Sequence, residues 1–558
     1  MKAAMVKSRW RQLLVPAWGR MWYALGGSRQ RMPGRRRYPE ECLIGQLRAL
    51  PPGPISAKGD RPLRVCFFTL DASQSYMSAT DIAWGRALRL RGHEVSLVLC
   101  DQVLPSCGNK QFSRRERWDA VCDKCFRRGV ATFEASGLKY HRLSALMQPT
   151  LSAAEEKVLR ELDFSQIVQS SLFRVFCVGR LNHTSVEQAI EVDIRRACEI
   201  TAKAALVVAR DRPDRVIMSH GVYSTWAPAL AVFNRLGIPV AVHNKGKRRN
   251  STVINWIDGV MDWDVSRAWE LVKDLPLTPA QESTIRQYLG SRIHHSGDAL
   301  RYNFGEVETR DEFFQRFRLD GSKRTFVLFT NVLWDAASAQ KEIAFPNAVE
   351  WVLETIAWFA GRLELQLVVK IHPAEVVIGT NQPFAQEIHL AFPQLPENIR
   401  VIEPAEKINS ATMAQVATAA LVHTSTPGME LPIEGVPAIV VSKTHYRGKG
   451  FTVDIDSKED YFRTIANWNG SPIPVERMKT LALRYAWLLF ERYHWPENFL
   501  LESSNGRHWA LDVDRDEQLA ENATLARLCH CVETREDFLL DDERLSRRAG
   551  EMTQAHSR

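Results

Sequence analysis

The amino-acid sequence predicts an α/β protein in which two Rossmann-like, doubly wound domains face a central crevice. Strand patterns alternate with amphipathic helix patterns twice along the chain, once before residue 265 and once after residue 323. Several strands are continuous apolar runs, as expected of parallel strands that are buried on both faces. Polar residues follow these strands, at the edge of the sheet where such folds bind ligands.

The positive charge of the chain is concentrated at its start. The 558 residues carry a formal net charge of +8, but residues 1–39 contain ten Lys and Arg residues and no acidic residue. The remainder is therefore near neutral, which argues against a nucleic-acid-binding protein, because such a protein would spread basic residues over a folded face. Arginines mixed with Trp10, Trp18 and Trp22 favour contact with an anionic membrane surface, and a disordered basic leader is the alternative.

Neither a transmembrane helix nor a signal peptide is predicted. No apolar run reaches about 18 residues, and the short apolar stretch at residues 13–18 is interrupted by Pro16. We therefore expect a cytoplasmic protein, with the leader on the inner face of the cytoplasmic membrane if it binds lipid.

Residues 1–61 are predicted to form a basic leader and a linker, and the linker is the Pro- and Gly-rich segment at 40–61. The first domain is predicted to follow over residues 62–265. Its predicted elements are strands at 62–70, 94–99, 215–219 and 238–242, helices at 80–90 and 226–236, and a mostly helical stretch at 152–209. Asp71 and His220 each follow a strand directly, so either is a candidate general base or nucleophile. A purely structural role for His220 stays open.

Four cysteines lie close together in this domain, at Cys100, Cys107, Cys122 and Cys125. The C-x2-C spacing of the last two is that of a zinc knuckle, which makes a structural zinc or iron–sulfur site a hypothesis. Free thiols in a reduced cytosolic protein are the alternative.

The second domain is predicted over residues 323–470. A helical connection at 266–322 precedes it, C-terminal helices at 471–540 follow, and the end at 541–558 is predicted to be disordered. Its predicted elements are a strand at 324–329, a helix at 347–363, and strands at 365–371, 421–424 and 436–441.

A nucleotide site is predicted at the carboxyl ends of the strands of this second domain. The residues Ser425 to Gly428 match a helix start, with Thr426 as N-cap, whose unpaired N–H groups would hold a phosphate. The other predicted binding residues follow neighbouring strands and are Thr330, Asn331, Lys370, His372, Pro373, His445, Tyr446, Gly448 and Gly450.

Three motifs in this region resemble the capsule polysaccharide biosynthesis family, which includes the capsular Kdo transferases. They are K-x-H-P at 370–373, T-S-T-x-G-x-E at 424–430 and H-Y-R-G-K-G-F-T at 445–452, and the resemblance covers residues 325–454. It implies a GT-B glycosyltransferase with a helix that crosses back to the first domain. It also implies that Glu430 accepts the ribose hydroxyls, although a glutamate there would also complement the helix N-terminus.

The resemblance favours a CMP-linked, Kdo-like donor. A UDP-sugar is the second choice, because Lys449 stands where an aromatic residue is expected. No catalytic metal is expected, since the three D-x-D pairs, at 262–264, 454–456 and 512–514, do not follow the early nucleotide-binding domain that a GT-A enzyme needs. The predicted function is transfer of a sugar to a glycan or lipid-linked acceptor in capsule or other surface polysaccharide biosynthesis. A nucleotide-sugar 2-epimerase and a non-catalytic capsule assembly or export protein are the alternatives.

Overall fold

The computed structural model describes most of the chain. The described residues are 41–50, 52–53, 61–71, 75–111, 118–257, 264–294, 297–299, 305–502 and 509–540. The predicted basic leader at 1–39 and the predicted disordered tail at 541–558 lie outside these ranges. None of the helices within them is long and apolar enough to cross a membrane.

The first domain is built on a seven-stranded sheet with the order β13-β6-β5-β4-β1-β2-β3. Strands β1 to β5 are parallel, whereas β6 and β13 add to one edge in antiparallel fashion. The strands are β1 (Arg64–Phe67), β2 (Glu94–Leu99), β3 (Lys139–Arg142), β4 (Arg215–Ser219), β5 (Val240–Lys245), β6 (Ser251–Trp256) and β13 (His494–Pro496).

Helices cover both faces of this sheet. They are α1 (Glu41–Ala49), α2 (Ser75–Leu90), α3 (Gly108–Gln111), α4 (Trp118–Ser136), α5 (Leu143–Met147), α6 (Ala153–Glu161), α7 (Ser165–Phe176), α8 (Ser185–Ala209) and α9 (Ala227–Arg235). Helices α6 and α8 begin with capping boxes at Ser152 and Thr184, in which each hydroxyl accepts from the backbone N–H three residues on.

Helix α1 lies in the segment predicted as a linker, and that prediction is wrong for residues 41–49. Leu43 and Leu47 are buried in the core of the first domain. The Gln46 side chain donates to the carbonyl of Leu511 at 2.7 Å and accepts from its N–H at 2.9 Å. The sequence pattern did not reveal this because the partner of Gln46 lies 465 residues further along the chain.

The described residues that connect the two domains are helical in three segments, and they lead to a second, six-stranded sheet. The connection contains α10 (Ser266–Val272), α11 (Pro279–Ile293) and α12 (Arg310–Phe317). The second sheet is entirely parallel, with the order β12-β11-β10-β7-β8-β9. Its strands are β7 (Arg324–Phe329), β8 (Leu365–Lys370), β9 (Ile399–Ile402), β10 (Ala419–Val422), β11 (Ala438–Val440) and β12 (Val453–Asp454).

Helices again cover both faces of the second sheet. They are α13 (Ala348–Ala360), α14 (Ala374–Val377), α15 (Phe384–Ala391), α16 (Thr412–Val416), α17 (Pro427–Ile433) and α18 (Lys458–Ala466). All six residues of β8 are buried, which explains its continuous apolar pattern.

The C-terminal segment returns to the first domain. Helix α19 (Val475–Trp487) continues into a π-helical segment (Leu488–Tyr493), after which β13 pairs with β6. A hairpin of β14 (Leu500–Glu502) and β15 (Trp509–Leu511) follows, and then α20 (Glu517–Glu521) and α21 (Ala523–Thr534). The bidentate pair between Arg91 and Glu533, at 2.7 and 2.8 Å, ties α21 to the first domain.

The predicted fold class is therefore confirmed as GT-B-like, with two Rossmann-like domains and a C-terminal helix that crosses back. One part of the expectation needs correction, since residues 471–540 are not only helical. They supply three strands, and the apolar side chains from Trp495 onward share one core with α1 and α2 of the first domain, whereas those of α19 pack in the core of the second domain.

Candidate active site

A cavity of about 970 Å³ lies between the carboxyl ends of the two sheets. The first domain lines it with the ends of β4 and β5, and the second domain with the ends of β7, β8 and β10. Of the residues predicted from the sequence, those that line it are His220, Thr330, Asn331, Lys370, His372, Pro373, Ser425, Thr426, Glu430 and His445.

The cavity has an excess of positive charge. Eight Lys and Arg residues and four Asp and Glu residues occur among the described residues that line it. A cleft of one sign raises the local concentration of ligands of the opposite sign.

Lys370 and His372 are held by the strand end that the sequence predicted. The ammonium group of Lys370 donates to the carbonyl of Ile408 at 3.1 Å, and burial lowers its pKa to about 8. The Nδ1 atom of His372 accepts from the N–H of Ala374 at 3.1 Å, so the proton of the neutral ring is on Nε2. Burial, Lys370 and Lys247 together lower the pKa of His372 to about 4. The pair thus offers an ammonium group and a neutral N–H donor.

A hydrogen-bond network holds the end of β8, which carries Lys370, in register with the ends of β7 and β10. The hydroxyl of Thr330 accepts from the N–H of His372 at 2.9 Å. The hydroxyl of Ser425 donates to the carbonyl of Thr330 at 3.0 Å, and the Asn331 amide donates to the hydroxyl of Thr424. These residues connect β7, β8 and β10, so their polar side chains position the loops.

The helix start at α17 has a different geometry from the one predicted. Thr426 has helical backbone angles and makes no side-chain cap, so it is not the N-cap predicted from the sequence. The N–H of Gly428 donates to the carbonyl of Ser425 at 3.1 Å, and the N–H groups of Met429 and Glu430 donate to the carbonyl of Thr426. These three N–H groups are therefore satisfied within the turn.

Gly428 and Tyr446 are packing residues behind the cavity. A Cβ atom on Gly428 would lie 2.4 Å from the Tyr446 hydroxyl and 2.8 Å from Val422 Cγ2. That hydroxyl donates to the carbonyl of Ser425 at 2.7 Å. The glycine is needed because the tyrosine ring passes directly over it.

The rest of the predicted glycine loop turns away from the cavity after His445. The ring of His445 stacks on Tyr485, whose hydroxyl donates to the carbonyl of His445 at 2.7 Å. Gly448 has a φ of +74°, and its N–H donates to Asp454 at 2.8 Å. Gly448 and Gly450 are not lining residues, and Lys449 contacts Ser266 of the helical connection.

Two basic residues that the sequence analysis missed join the domains across the cavity. The ammonium group of Lys247, after β5, donates to the hydroxyl of Thr426 at 2.7 Å, and burial lowers its pKa to about 8. Arg292, in α11, lies 2.7 Å from Glu430 and 2.7 Å from Asp298. The basic run at 245–249 after a strand was a signal for Lys247, whereas nothing local to Arg292 indicated its role.

Glu430 is therefore engaged by an arginine. Its Oε1 atom accepts from Arg292 Nε at 2.8 Å, in addition to the 2.7 Å contact with the terminal nitrogen. A ribose would have to share this carboxylate with Arg292. The alternative role of Glu430, as a charge that only complements the helix N-terminus, does not account for its contacts with Arg292.

His220 faces the cavity from the first domain. It follows β4 with a φ of +59°, an uncommon conformation for a non-glycine residue, and its ring stacks on Trp226 with 5.0 Å between centroids. The hydroxyl of Ser219 donates to Met77 Sδ at 3.1 Å and lies 2.6 Å from His220 Nδ1. The two groups share this hydrogen bond, and when Nδ1–H donates it, Nε2 is left as an acceptor.

Asp71, the other acceptor-side candidate, is not among the residues that line the cavity. Its carboxylate accepts from the Asn109 amide at 2.5 Å and lies 3.9 Å from Cys125 Sγ. It is 4% exposed and belongs to the neighbourhood of the cysteines.

The four cysteines do not form the metal site that their spacing suggested. Within the described part of the chain, no group of three or more His, Cys, Asp and Glu side chains could hold a metal ion. Cys122 and Cys125 lie within helix α4, one turn apart, and not on the tight turn of a zinc knuckle. Burial raises the pKa of Cys100 to about 11 and that of Cys107 to about 12, which disfavours the thiolate that metal binding requires.

The comparisons with known proteins establish no family. No protein-family model matches the chain, and no curated protein does. Among solved structures, the chain is similar to KpsC, a β-Kdo 2,4-transferase of Thermosulfurimonas dismutans, with 16% identity, a TM-score of 0.32 and coverage of 55% of this chain and 87% of that one.

Two other solved structures cover more of the chain. The glycosyltransferase SnogD from Streptomyces nogalater gives 14% identity and a TM-score of 0.22, over 76% of this chain and 95% of that one. A UDP-GlcNAc 2-epimerase from Neisseria meningitidis gives 12% identity and a TM-score of 0.24, over 83% and 99%. The fold assignment rests on the topology of the two sheets described above.

Proposed function

We propose that this chain is a glycosyltransferase that transfers a sugar from a nucleotide-sugar donor to a hydroxyl of a surface polysaccharide or its lipid-linked precursor. The observation that carries the proposal is one cavity with two unlike walls. The second domain presents the buried ammonium group of Lys370 and the N–H donor of His372. The first domain presents Lys247 and the neutral imidazole of His220.

The donor-side wall suits a leaving phosphate. When the bond between the anomeric carbon and the phosphate oxygen breaks, negative charge grows on that oxygen. Lys370, Lys247 and the Nε2–H of His372 would stabilise this charge, and they act more strongly in a buried site than in water. A bound anion would also raise the pKa of these groups and keep the lysines charged.

The acceptor-side wall supplies a base. In this proposal, His220 Nε2 takes the proton of the acceptor hydroxyl as that oxygen bonds to the anomeric carbon and the nucleotide leaves. Burial, followed by Arg174 and His243, lowers the pKa of His220 to about 3, so the ring is neutral before substrates bind. A donor phosphate in the cavity would raise this pKa towards the range in which imidazole is an effective base.

The assignment to capsule or other surface polysaccharide biosynthesis comes from the motif resemblance at 370–373, 424–430 and 445–452. A CMP-linked acidic sugar and a UDP-sugar are the donors to test first. The cations of the cavity would carry out the charge stabilisation for which other glycosyltransferases use a metal ion.

The test compares two cavity variants with the parent protein. CMP- and UDP-sugars are screened for binding by thermal shift, where a ligand at about 100 times its Kd adds roughly 2.7 kcal/mol of stability. Donor turnover, with glycan acceptors or water, is followed by release of the nucleotide. His372→Ala should raise the donor Kd about tenfold or more, because it removes a hydrogen bond to a charged group. His220→Asn should keep the parental Kd and lower turnover by about 10²-fold or more.

His389→Ala is the matched control, because His389 is an exposed histidine on α15 away from the cavity. If both cavity variants bind and react like the parent, the proposal is wrong. Conversion of the donor into its C2 epimer with no acceptor present would instead identify an epimerase. Donor binding without turnover for every donor and acceptor would favour the assembly protein.

A further inference from the structure

Asn244 lines the first-domain wall of the cavity and has no role in the reaction proposed above. It lies near the end of β5, where its carbonyl accepts from the hydroxyl of Thr252 at 2.9 Å and its backbone is paired with Val253 of β6. A side chain on a paired strand is held more precisely than one on a loop. The sheet therefore fixes the place of Asn244 in the cavity wall.

The side-chain amide of Asn244 has a defined orientation. Its Oδ1 atom accepts from the backbone N–H of Lys245 at 2.8 Å, and only the oxygen end of an amide can meet an N–H donor. Within the part of the chain that the structure describes, no group accepts a hydrogen bond from the Nδ2 atom of Asn244. The group that is left for a ligand is a pair of N–H donors, so the matching group of the ligand is a hydrogen-bond acceptor.

Asn244 and His220 lie side by side on neighbouring strands. Ser219 of β4 is paired with His243 of β5, so the residues that come next are His220 and Asn244. The N–H of His220 donates to the carbonyl of His243 at 3.1 Å, which continues the pairing past the end of β4. Because neighbouring strands are about 4.8 Å apart, the imidazole and the amide are spaced to contact two atoms of one sugar ring.

The two side chains would interact with an acceptor in different ways. In the proposed reaction, His220 takes the proton of the reacting hydroxyl, and the oxygen of that hydroxyl uses a lone pair to bond to the anomeric carbon. An N–H donor on the same oxygen would withdraw the electron density that this attack needs. The amide of Asn244 therefore suits a second oxygen, on the ring carbon next to the one that carries the reacting hydroxyl.

We infer that Asn244 binds the acceptor sugar by donating to the oxygen beside the reacting hydroxyl, so that the acceptor is a sugar with oxygens on two adjacent carbons at this point. The inference rests on the proposed function, because it takes the wall beside His220 as the acceptor side of the cavity. It assigns Asn244 to acceptor recognition, whereas donor binding depends on Lys370 and His372 of the other domain.

The experiment measures transfer from CMP- and UDP-sugars to the methyl glycosides of glucose, galactose and mannose. The best acceptor is then compared with its deoxy analogues, each of which lacks one hydroxyl next to the new linkage. The parent should use one of these analogues at least about tenfold less efficiently, as kcat/KM, because the donors of Asn244 lose their partner. In the Asn244→Ala protein the acceptor KM should rise about tenfold with the donor Kd unchanged, and the best acceptor and this analogue should be used equally well within about twofold.

Two further variants make the comparison specific. Asn244→Asp keeps the oxygen that accepts from Lys245 and removes both donors, so it should also abolish the preference over the deoxy analogue, and it serves if the alanine variant fails to fold. Asn255→Ala is the matched control, because Asn255 lies on β6, is not among the lining residues and donates to the carbonyl of Asp264 at 3.2 Å. This protein should keep the parental preference.

The outcomes separate the inference from the proposed function. If the parent uses every deoxy analogue as well as the intact sugar, or if the preference is the same in the parent and in both Asn244 variants, the inference is overturned and the proposed function stands. A higher donor Kd with an unchanged acceptor KM in the Asn244→Ala protein would assign Asn244 to the donor and would also overturn it. If the parent transfers to none of the acceptors, the proposed function fails and the inference fails with it.

Discussion

Replacement of Gly428 by alanine tests whether this glycine serves packing or phosphate binding. The new Cβ would lie 2.4 Å from the Tyr446 hydroxyl and 2.8 Å from both Tyr446 Cζ and Val422 Cγ2, so the stiff tyrosine ring must move. Overpacking of a core costs about 1–3 kcal/mol. The displaced hydroxyl also loses its 2.7 Å bond to the carbonyl of Ser425, worth about 0.5–1.5 kcal/mol. We expect the free energy of unfolding to fall by about 2–4 kcal/mol.

The assay is equilibrium urea unfolding of a double-mutant cycle. Tyr446→Phe alone should cost about 1 kcal/mol, because it removes the hydrogen bond and keeps the ring. The double variant should cost less than the sum of the two single variants, because the phenylalanine has no oxygen to clash with the new methyl group. Nucleotide affinity of the Tyr446→Phe protein should stay within about twofold, because the side chain does not line the cavity.

A different outcome would support the prediction that this helix start binds a phosphate. If Gly428→Ala left the free energy of unfolding unchanged and abolished nucleotide binding, the glycine would be needed for close approach of a ligand. If the unfolding free-energy changes of the two single variants simply add in the double variant, the tyrosine hydroxyl is not the group that clashes with the new methyl group.

Three further predictions concern pH, the cysteines and the leader. Lys247 and Lys370 have pKa values of about 8 in the ligand-free protein, so the positive charge that binds an anion is present below pH 8 and is lost as the pH rises through it. The donor Kd should therefore rise at least about tenfold between pH 7 and 9, and a flat profile of the parent protein would contradict this. The Lys370→Arg protein should show a smaller rise, because arginine stays charged. Replacing Cys122 and Cys125 by serine should shift the Tm by less than about 4 °C, and elemental analysis of the parent protein should find no stoichiometric zinc or iron. A metal that is bound to the parent and lost from the double variant would support the metal hypothesis instead. Deleting residues 1–39 should reduce co-sedimentation with anionic vesicles, since each basic residue near such a surface contributes about 1 kcal/mol, and unchanged binding would show that the leader does not contribute.

The sequence alone predicted four of the six strands of the second sheet, β7, β8, β10 and β11, and the residues that follow them, but not the edge strands β9 and β12. Apolar runs such as β8 are specified locally, because a strand buried on both faces must be continuous in hydrophobic residues. Parallel strands then bring the residues that follow them to one edge, which is why Thr330, Lys370 and His372 were predicted to share a crevice and do line one cavity.

Other features depended on contacts that a local pattern does not encode. The pairing of the N–H groups at α17, the helical setting of Cys122 and Cys125, and the burial of α1 each depend on the conformation of neighbouring segments. The same holds for Asp71 and His220, which come after adjacent strands, and yet only His220 lines the cavity. A strand end places a residue at the sheet edge, but the segments packed against that edge decide whether its side chain reaches the ligand space.

What the sequence by itself determined is the central strands of both sheets, their burial and the strand end that carries Lys370 and His372, because hydrophobic periodicity acts over a few residues. Only the tertiary structure decided that Lys247 meets Thr426 and that Arg292 meets Glu430. These partners are 179 and 138 residues apart in the chain. Their approach follows from how two separately formed sheets pack through the helical connection and the returning C-terminal segment, and that packing depends on all of the buried surfaces together.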